Sequence, residues 1–289
     1  MGGQAMDSAQ TESPQDQALR RYHERREAFD RDGYVIFENI LSEEETAAIR
    51  AALAPWMNRT GRNDFEGLST NRVYALLAKS PVFADLAAHP LAMAFVEGEL
   101  GTSCLLSACL AINLHPGESV QPWHHDDSHI DMPRPRKACG VSAFWAIDAM
   151  TETNGATEIL PGSHLWPEDE IPGAVAAEHF ADRNRRDAGD DPGARPDAMK
   201  VVMPAGSLML AKGTLWHRGG ANRSDAPRLI ITPQYCAGWA RPLENMSLAV
   251  PPAIARGLPA RARELLGYSI HEPFMGYVDG AHPRRVLEN

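Results

Sequence analysis

The chain has 289 residues, 44% hydrophobic and 23% charged, an ordinary globular composition with the length to bury a large core. A formal net charge of -10 and a pI near 5.6 speak against nucleic acid or an anionic membrane surface as the main partner. No apolar run reaches the ~20 residues of a membrane span, and the four cysteines lack Cys-x-x-Cys pairing, which fits reduced thiols in a cytoplasmic protein.

Residues 1–18 are small and polar and read as a disordered tail, with no basic start and apolar core of a secretory signal. Gln17 to Asp30 reads as a short charged helix, and Asp32-Gly33 as a turn into an apolar strand, Tyr34 to Phe37. Ser42 and Glu45 form a capping box for a helix through Ile49 and Leu53 that stops before Pro55. Residues 56–79 are mixed and polar, and no element is assigned there. Ser80-Pro81 opens another helix, which His89-Pro90 interrupts and Leu91 to Leu100 resumes; His89 reads as a surface or capping residue. From about residue 103, short apolar runs alternate with turns: 105–114, 141–147, 156–160, 199–203, 207–211 and 229–235. That texture predicts a β-sandwich or barrel. The stretch 166–200, rich in Pro, Gly, Asp and Arg, is a long connection, either a lid or a surface insertion.

Chemistry concentrates in Trp123-His124-His125-Asp126-Asp127-Ser128-His129. Along an extended strand, residues i and i+2 point the same way. His124 and Asp126 can therefore aim an imidazole and a carboxylate at one point, and so, in the other register, can His125 and Asp127. A distant histidine would complete the two-histidine, one-carboxylate triad typical of non-haem Fe(II) oxygenases. His217 is the candidate. It follows a strand and precedes the turn from Asn222 to Pro227, after which Arg228 opens the apolar strand Leu229-Ile230-Ile231-Thr232. An arginine there needs an anionic partner, and guanidinium grips carboxylate with two parallel hydrogen bonds. Asp225 is the local alternative to a bound acid.

The ordered set His124-x-Asp126, His217 and Arg228 resembles the phytanoyl-CoA dioxygenase family of Fe(II)- and 2-oxoglutarate-dependent oxygenases. Asp32-Gly33-Tyr34-Val35, Asn154-Gly155-Ala156-Thr157, Leu160-Pro161-Gly162-Ser163-His164 and the segment Gly219-Gly220-x-Asn222-x-Ser224 are similar to its other motifs, over roughly residues 28–240. The resemblance selects the register that follows Trp123, so His125 becomes a packing or surface residue. It implies a mainly β, double-stranded β-helix (jelly-roll, cupin-like) fold with flanking N-terminal α-helices. Residues 19–289 are then one oxygenase domain: a helical part about 19–102, a jelly-roll core about 103–240 with the 166–200 insertion, and a closing segment about 241–289 that packs across the barrel mouth. It implies Fe(II) held by His124, Asp126 and His217, and 2-oxoglutarate bound by Arg228, with Asn113 donating a hydrogen bond and Trp145 as a pocket aromatic. A strand-end asparagine and a core tryptophan are the plain readings of those last two. Asp127 and His129 border the substrate mouth or the surface, His164 orders a turn, and His271 is structural. Gly219 departs from members that carry a hydroxyl residue there, which puts the detailed cosubstrate contacts in question.

The reaction implied is hydroxylation of an unactivated C–H bond with O2 as second cosubstrate and release of succinate and CO2. Desaturation, epoxidation or ring formation would need the same site. Because Asp126 fills the position that related halogenases leave vacant for chloride, oxygenation is expected rather than halogenation. The substrate is a small molecule, lipid-like or a secondary metabolite; no basic cluster for acyl-CoA is evident, and monomer and homodimer stay open. A non-catalytic metal-binding cupin-like protein, a sensor or degenerate paralogue, is the competing class.

Overall fold

The computed structural model describes residues 12–63, 65–167, 191 and 193–288. The first helix, α1 (Pro14–Asp32), starts earlier than expected. Ser13 is extended, its Oγ accepts the Asp16 N–H at 3.2 Å, and Pro14 sits where a missing N–H costs nothing. The tail expected over residues 1–18 is thereby corrected, because 14–18 are helical; residues 1–11 lie outside the described residues. At its other end Gly33, with φ +82°, returns its N–H to Phe29 O at 3.0 Å. A Cβ on Gly33 would lie 2.5 Å from His164 Nδ1, while His164 Nε2 donates to Asp30 O at 2.9 Å. Glycine thus serves both a left-handed turn and a close approach.

Helix α2 (Glu43–Leu53) carries the expected box, with Ser42 N–H donating to Glu45 Oε2 at 2.7 Å and Glu45 N–H to Ser42 Oγ at 3.2 Å. Helices α3 (Val82–Ala87) and α4 (Pro90–Leu100) follow; His89 caps α4 by accepting the Leu91 N–H at 3.3 Å.

Nine strands form two antiparallel sheets among the described residues. They are β1 (Tyr34–Phe37), β2 (Thr70–Val73), β3 (Leu105–Leu114), β4 (Gly140–Ala146), β5 (Thr157–Ile159), β6 (Met199–Lys200), β7 (Leu208–Lys212), β8 (His217–Gly219) and β9 (Arg228–Cys236). The large sheet has the order β1-β7-β4-β9-β3-β2 and the small one β6-β5-β8, a jelly roll. Both edge strands of the large sheet come from the N-terminal part, so its sheet is not confined to residues 103–240: Tyr34 pairs with Ala211, and Thr70 with Leu114.

The large sheet is buried on both faces, which is why its strands read as unbroken apolar runs. One face, with Leu208, Leu210, Val141, Ala143, Trp145, Leu229 and Ile231, packs on the helices. The other, with Met209, Ala211, Phe144, Ala146 and Ile230, packs toward the small sheet. Three short C-terminal helices, α5 (Met246–Ala249), α6 (Pro252–Ala255) and α7 (Ala260–Leu265), bury Met246, Ala255, Ala262 and Leu265 in the helical cluster. These three helices of the closing segment therefore belong to the outer layer. Among the described residues no helix is long and apolar enough to cross a membrane.

Gly33→Ala should lower stability by at least about 1–2 kcal/mol, the left-handed penalty of a Cβ, before any displacement of His164. Urea unfolding is the check, and a midpoint equal to the parent's would show that this turn is not pinned.

Candidate functional site

His217 opens β8, and a two-bond antiparallel bridge joins it to His124: His124 N–H donates to His217 O at 3.0 Å and His217 N–H to His124 O at 2.8 Å. His125 is extended (φ −131°, ψ 145°), but Asp126 opens a tight 3-10 turn, Asp126–His129. The expected His-x-Asp strand is therefore a bridge residue followed by a turn. It still brings the ligand atoms of His124, Asp126 and His217 within 4.8 Å of one another, with His217 Nε2 3.7 Å from Asp126 Oδ1.

Each imidazole is held by a neighbouring carbonyl, His124 Nδ1 by Pro122 O at 2.9 Å and His217 Nδ1 by Leu215 O at 3.0 Å. A carbonyl only accepts, so Nδ1 carries the proton and the Nε2 lone pair is left for a metal. Burial, then the neighbouring His217, pushes the His124 pKa down to about 4. Burial would raise the Asp126 carboxyl; the facing His217 and His124, with the hydrogen bond donated by Ser142 Oγ, outweigh it and lower the pKa. Two neutral imidazoles and one carboxylate are the donor set of a facial Fe(II) triad, so the residues fit that ion.

The alternative register does something else. His125 stacks edge-on against Trp216, centroids 5.0 Å apart. Asp127 accepts the Cys139 N–H at 2.6 Å and Arg136 Nη1 at 3.2 Å, tying down the turn. His129 is exposed at the cavity rim.

The triad lines a cavity of about 730 Å³ between the sheets. Arg228 lines it too, 2% exposed. Its Nη2 donates to Gly155 O, whereas Nε and Nη1 have no partner. Asp225 is exposed and makes no ion pair with it, so the local alternative does not hold. Burial pushes the Arg228 pKa down to about 10. A buried cation with unused donors calls for an anionic ligand.

Two expected residues are not brought to the cavity, for one reason. On β3 the lining positions are Ala108, Leu110, Ile112 and Leu114, so Asn113 points to the other face, its Nδ2 3.4 Å from Asn71 Oδ1. On β4 Phe144 lines the cavity, edge-on to His217 at 5.6 Å. Trp145 therefore faces the helices, packed against His89 at 5.0 Å. Strand side chains alternate, and one residue changes the face. His164 and His271 also stand apart from the triad; His271 Nδ1 pairs with Ser103 Oγ at 2.6 Å.

Other lining residues went unnoticed in the sequence. Thr157 ends the Asn154-Gly155-Ala156-Thr157 motif, and Arg72, on the polar strand β2, carried no signal. Gln121 explains Gly219: its Oε1 accepts the Gly219 N–H at 2.8 Å, and a Cβ on Gly219 would stand 2.7 Å from that oxygen.

The expected lid falls mostly on residues 168–190, outside the described residues. The end of the connection is tethered beside His124 and His217. Trp123 Nε1 donates to Gly193 O at 2.7 Å. Arg218, stacked 4.5 Å over Trp123, pairs with Asp191 at 2.5 Å and Glu158 at 2.7 Å.

A family model described as phytanoyl-CoA dioxygenase (PhyH) matches residues 29–230. The chain is 26% identical over 256 residues to the multifunctional dioxygenase prhA of Penicillium brasilianum, covering 83% of this chain and 81% of that protein. HygX from Streptomyces hygroscopicus, solved with nickel and 2-oxoglutarate bound, superposes with a TM-score of 0.61 at 18% identity, covering 76% of this chain and 88% of that one. The non-heme alpha ketoglutarate dependent carbocyclase SnoK from nogalamycin biosynthesis superposes with a TM-score of 0.55 at 19% identity, covering 82% and 87%.

Both His124 and His125 titrate near 4 in the folded protein against an ordinary 6.5, the latter through burial and then the Arg134 and Arg136 charges. The unfolded chain then binds more protons between these values. Stability of the metal-free protein should fall as pH drops from about 6.5 toward 4. Unfolding midpoints that coincide at about pH 7.5 and about pH 5 would contradict this.

Proposed function

The chain belongs to the phytanoyl-CoA dioxygenase family, and from that premise we propose that it is an Fe(II)- and 2-oxoglutarate-dependent dioxygenase that oxidises an unactivated C–H bond of a small organic molecule. The observation that carries the reading is Arg228, a buried guanidinium with two unused donor groups in the cavity that holds the triad. A protein that only stored or sensed a metal would have no use for that cation.

His124, Asp126 and His217 would hold the metal, and the cavity they line has room for further ligands. The two carbonyl-fixed imidazoles and the Ser142-held carboxylate need no rearrangement to bind it. Iron with 2-oxoglutarate and O2 supplies the oxidation itself, with succinate and CO2 as by-products. Arg228 would hold the far carboxylate of the cosubstrate by its charge and by donors that the protein leaves unused. Thr157 and Arg72 border the same end: Thr157 lies two residues from Gly155, and the charge of Arg72 helps lower the Arg228 pKa. Phe144, packed on His217, keeps water from that ligand's flank.

Asp126 occupies the third ligand position, which favours oxygenation over halogenation. Hydroxylation is the default outcome. The choice between it and ring formation lies in how the substrate is held, since the triad is common to both.

Anaerobic addition of Fe(II) and 2-oxoglutarate to the metal-free protein should produce the weak visible charge-transfer band of the chelate. His124→Ala should abolish it, and Arg228→Ala should raise the 2-oxoglutarate concentration for half-saturation roughly a hundredfold, the cost of a lost charge-assisted pair. Iron bound without any band would leave a metal-binding protein with no cosubstrate.

A further inference from the structure

Away from Arg228, the cavity-facing positions of β9 are Ile230, Thr232 and Gln234. At ~3.4 Å per residue Gln234 lies roughly 20 Å along the strand from Arg228, beyond the reach of a cosubstrate anchored there. Gln234 pairs on one side with Ser142, which holds Asp126, and on the other with Ala108 of β3.

Past Ala108 a third segment arrives. Leu243 N–H donates to Ser107 Oγ at 3.0 Å and Glu244 N–H to Ser107 O at 2.7 Å, which lays Leu243 and Glu244 along β3 at the cavity wall. Ala108 is the small residue between Gln234 and Glu244, so both longer side chains border the same space. Several polar atoms here are unspent. Thr232 Oγ1 and Glu244 Oε2 are buried without a partner, and among the described residues no hydrogen bond engages the Gln234 amide. Burial raises the Glu244 carboxyl above its ordinary pKa, while the backbone N–H groups of Ala75 and Cys109 and the Lys79 charge pull it back. By contrast Glu118, another carboxylate lining the cavity, is fully used, accepting from Ser69 N–H at 2.7 Å, Thr70 Oγ1 at 2.9 Å and Ser119 N–H at 3.0 Å.

We propose that Glu244, with Thr232 and Gln234, forms the substrate-recognition end of the cavity and selects a small molecule bearing a hydrogen-bond donor, a hydroxyl or a protonated amine, over a hydrocarbon or a carboxylate. The proposal rests on the reading that the Arg228 end holds 2-oxoglutarate. A bare alkyl chain would leave Glu244 Oε2 buried and unpaired, and a carboxylate would face it with like charge. The two ends of the cavity thus have opposite preferences: Arg228 takes an acid, Glu244 a donor. A substrate with plain lipid character fits this wall poorly.

The test uses the full chain loaded with Co(II) and 2-oxoglutarate, and three probes of one shape: cyclohexylamine, cyclohexanol and cyclohexanecarboxylate. Paramagnetic relaxation of the probe protons reports both binding and nearness to the metal. The amine, the alcohol or both should bind at least about tenfold tighter than the carboxylate. Glu244→Gln and Glu244→Ala should shrink that preference below about threefold, and Thr232→Val, which keeps the shape, should weaken the alcohol. Equal binding of carboxylate, an unchanged preference in both Glu244 variants, or no relaxation of any probe would overturn the proposal. The Co(II) spectrum in the same samples separates the two readings. If 2-oxoglutarate leaves that spectrum unchanged, the cosubstrate assignment fails first and the proposal with it.

Discussion

Two backbone hydrogen bonds between His124 and His217 bring together segments 93 residues apart and bind the site to the fold. Without that bridge His124 has no strand partner, and His217 keeps only Ile159 of β5. His124 precedes a tight turn, and His217 begins a strand of only Gly219's reach. With it, the small sheet, the turn carrying Asp126 and the cavity wall become one rigid frame. The carbonyls that fix each imidazole lie two residues before it, at Pro122 and Leu215, so the bridge and the tautomers depend on the same backbone path. The placement of the triad is a by-product of sheet formation, which is a secure place to build it.

A second constraint is the two-residue period of the strands. β4, β7 and β9 each send one set of side chains to the helices and the other toward the small sheet or the cavity. That alternation separates Phe144 from Trp145 and Ile112 from Asn113. The local rules were plain in the sequence: the Ser42–Glu45 box, the limits of β3, and the motifs that carry His124, Asp126, His217 and Arg228. Each follows from neighbouring residues or from a motif. Asn113 and Trp145 were misplaced because a face is decided by register, which no single strand reveals. Strand β2 was invisible because Thr70-Asn71-Arg72-Val73 is polar and takes its place in the sheet through β3. Glu244 could not be found at all. Its position depends on Ser107, which is remote in sequence and unremarkable in composition. The start of α1 was hidden for a simpler reason, since Ser13-Pro14 looks like part of a polar tail until its capping bond is seen.

Buried polar groups in this fold sort into those whose needs are met inside the protein and those left wanting. Asp127 and Arg218 are saturated by neighbours and act as struts. Arg228, Thr232 and Glu244 retain unpaired atoms along the walls of one cavity. Leaving such atoms dry costs stability that folding alone would not tolerate without reason. Arginine and carboxylate occur on both sides of this distinction, so residue type alone does not make it.

The tether at Asp191 and Gly193 has a bearing on how such a chain varies. Trp123 and Arg218, each next to a histidine ligand, hold the far end of the long connection by a carbonyl and a carboxylate. The near end leaves from the turn after Ser163, whose Oγ accepts the Trp216 N–H at 3.0 Å. Both attachment points are therefore staked to the ligand-bearing segments themselves. One hydrogen bond and one ion pair thus fix the end of the connection to the segments that carry His124 and His217. A replacement of Arg218 or Trp123 would therefore be felt at that end of the connection and at the neighbouring histidines together.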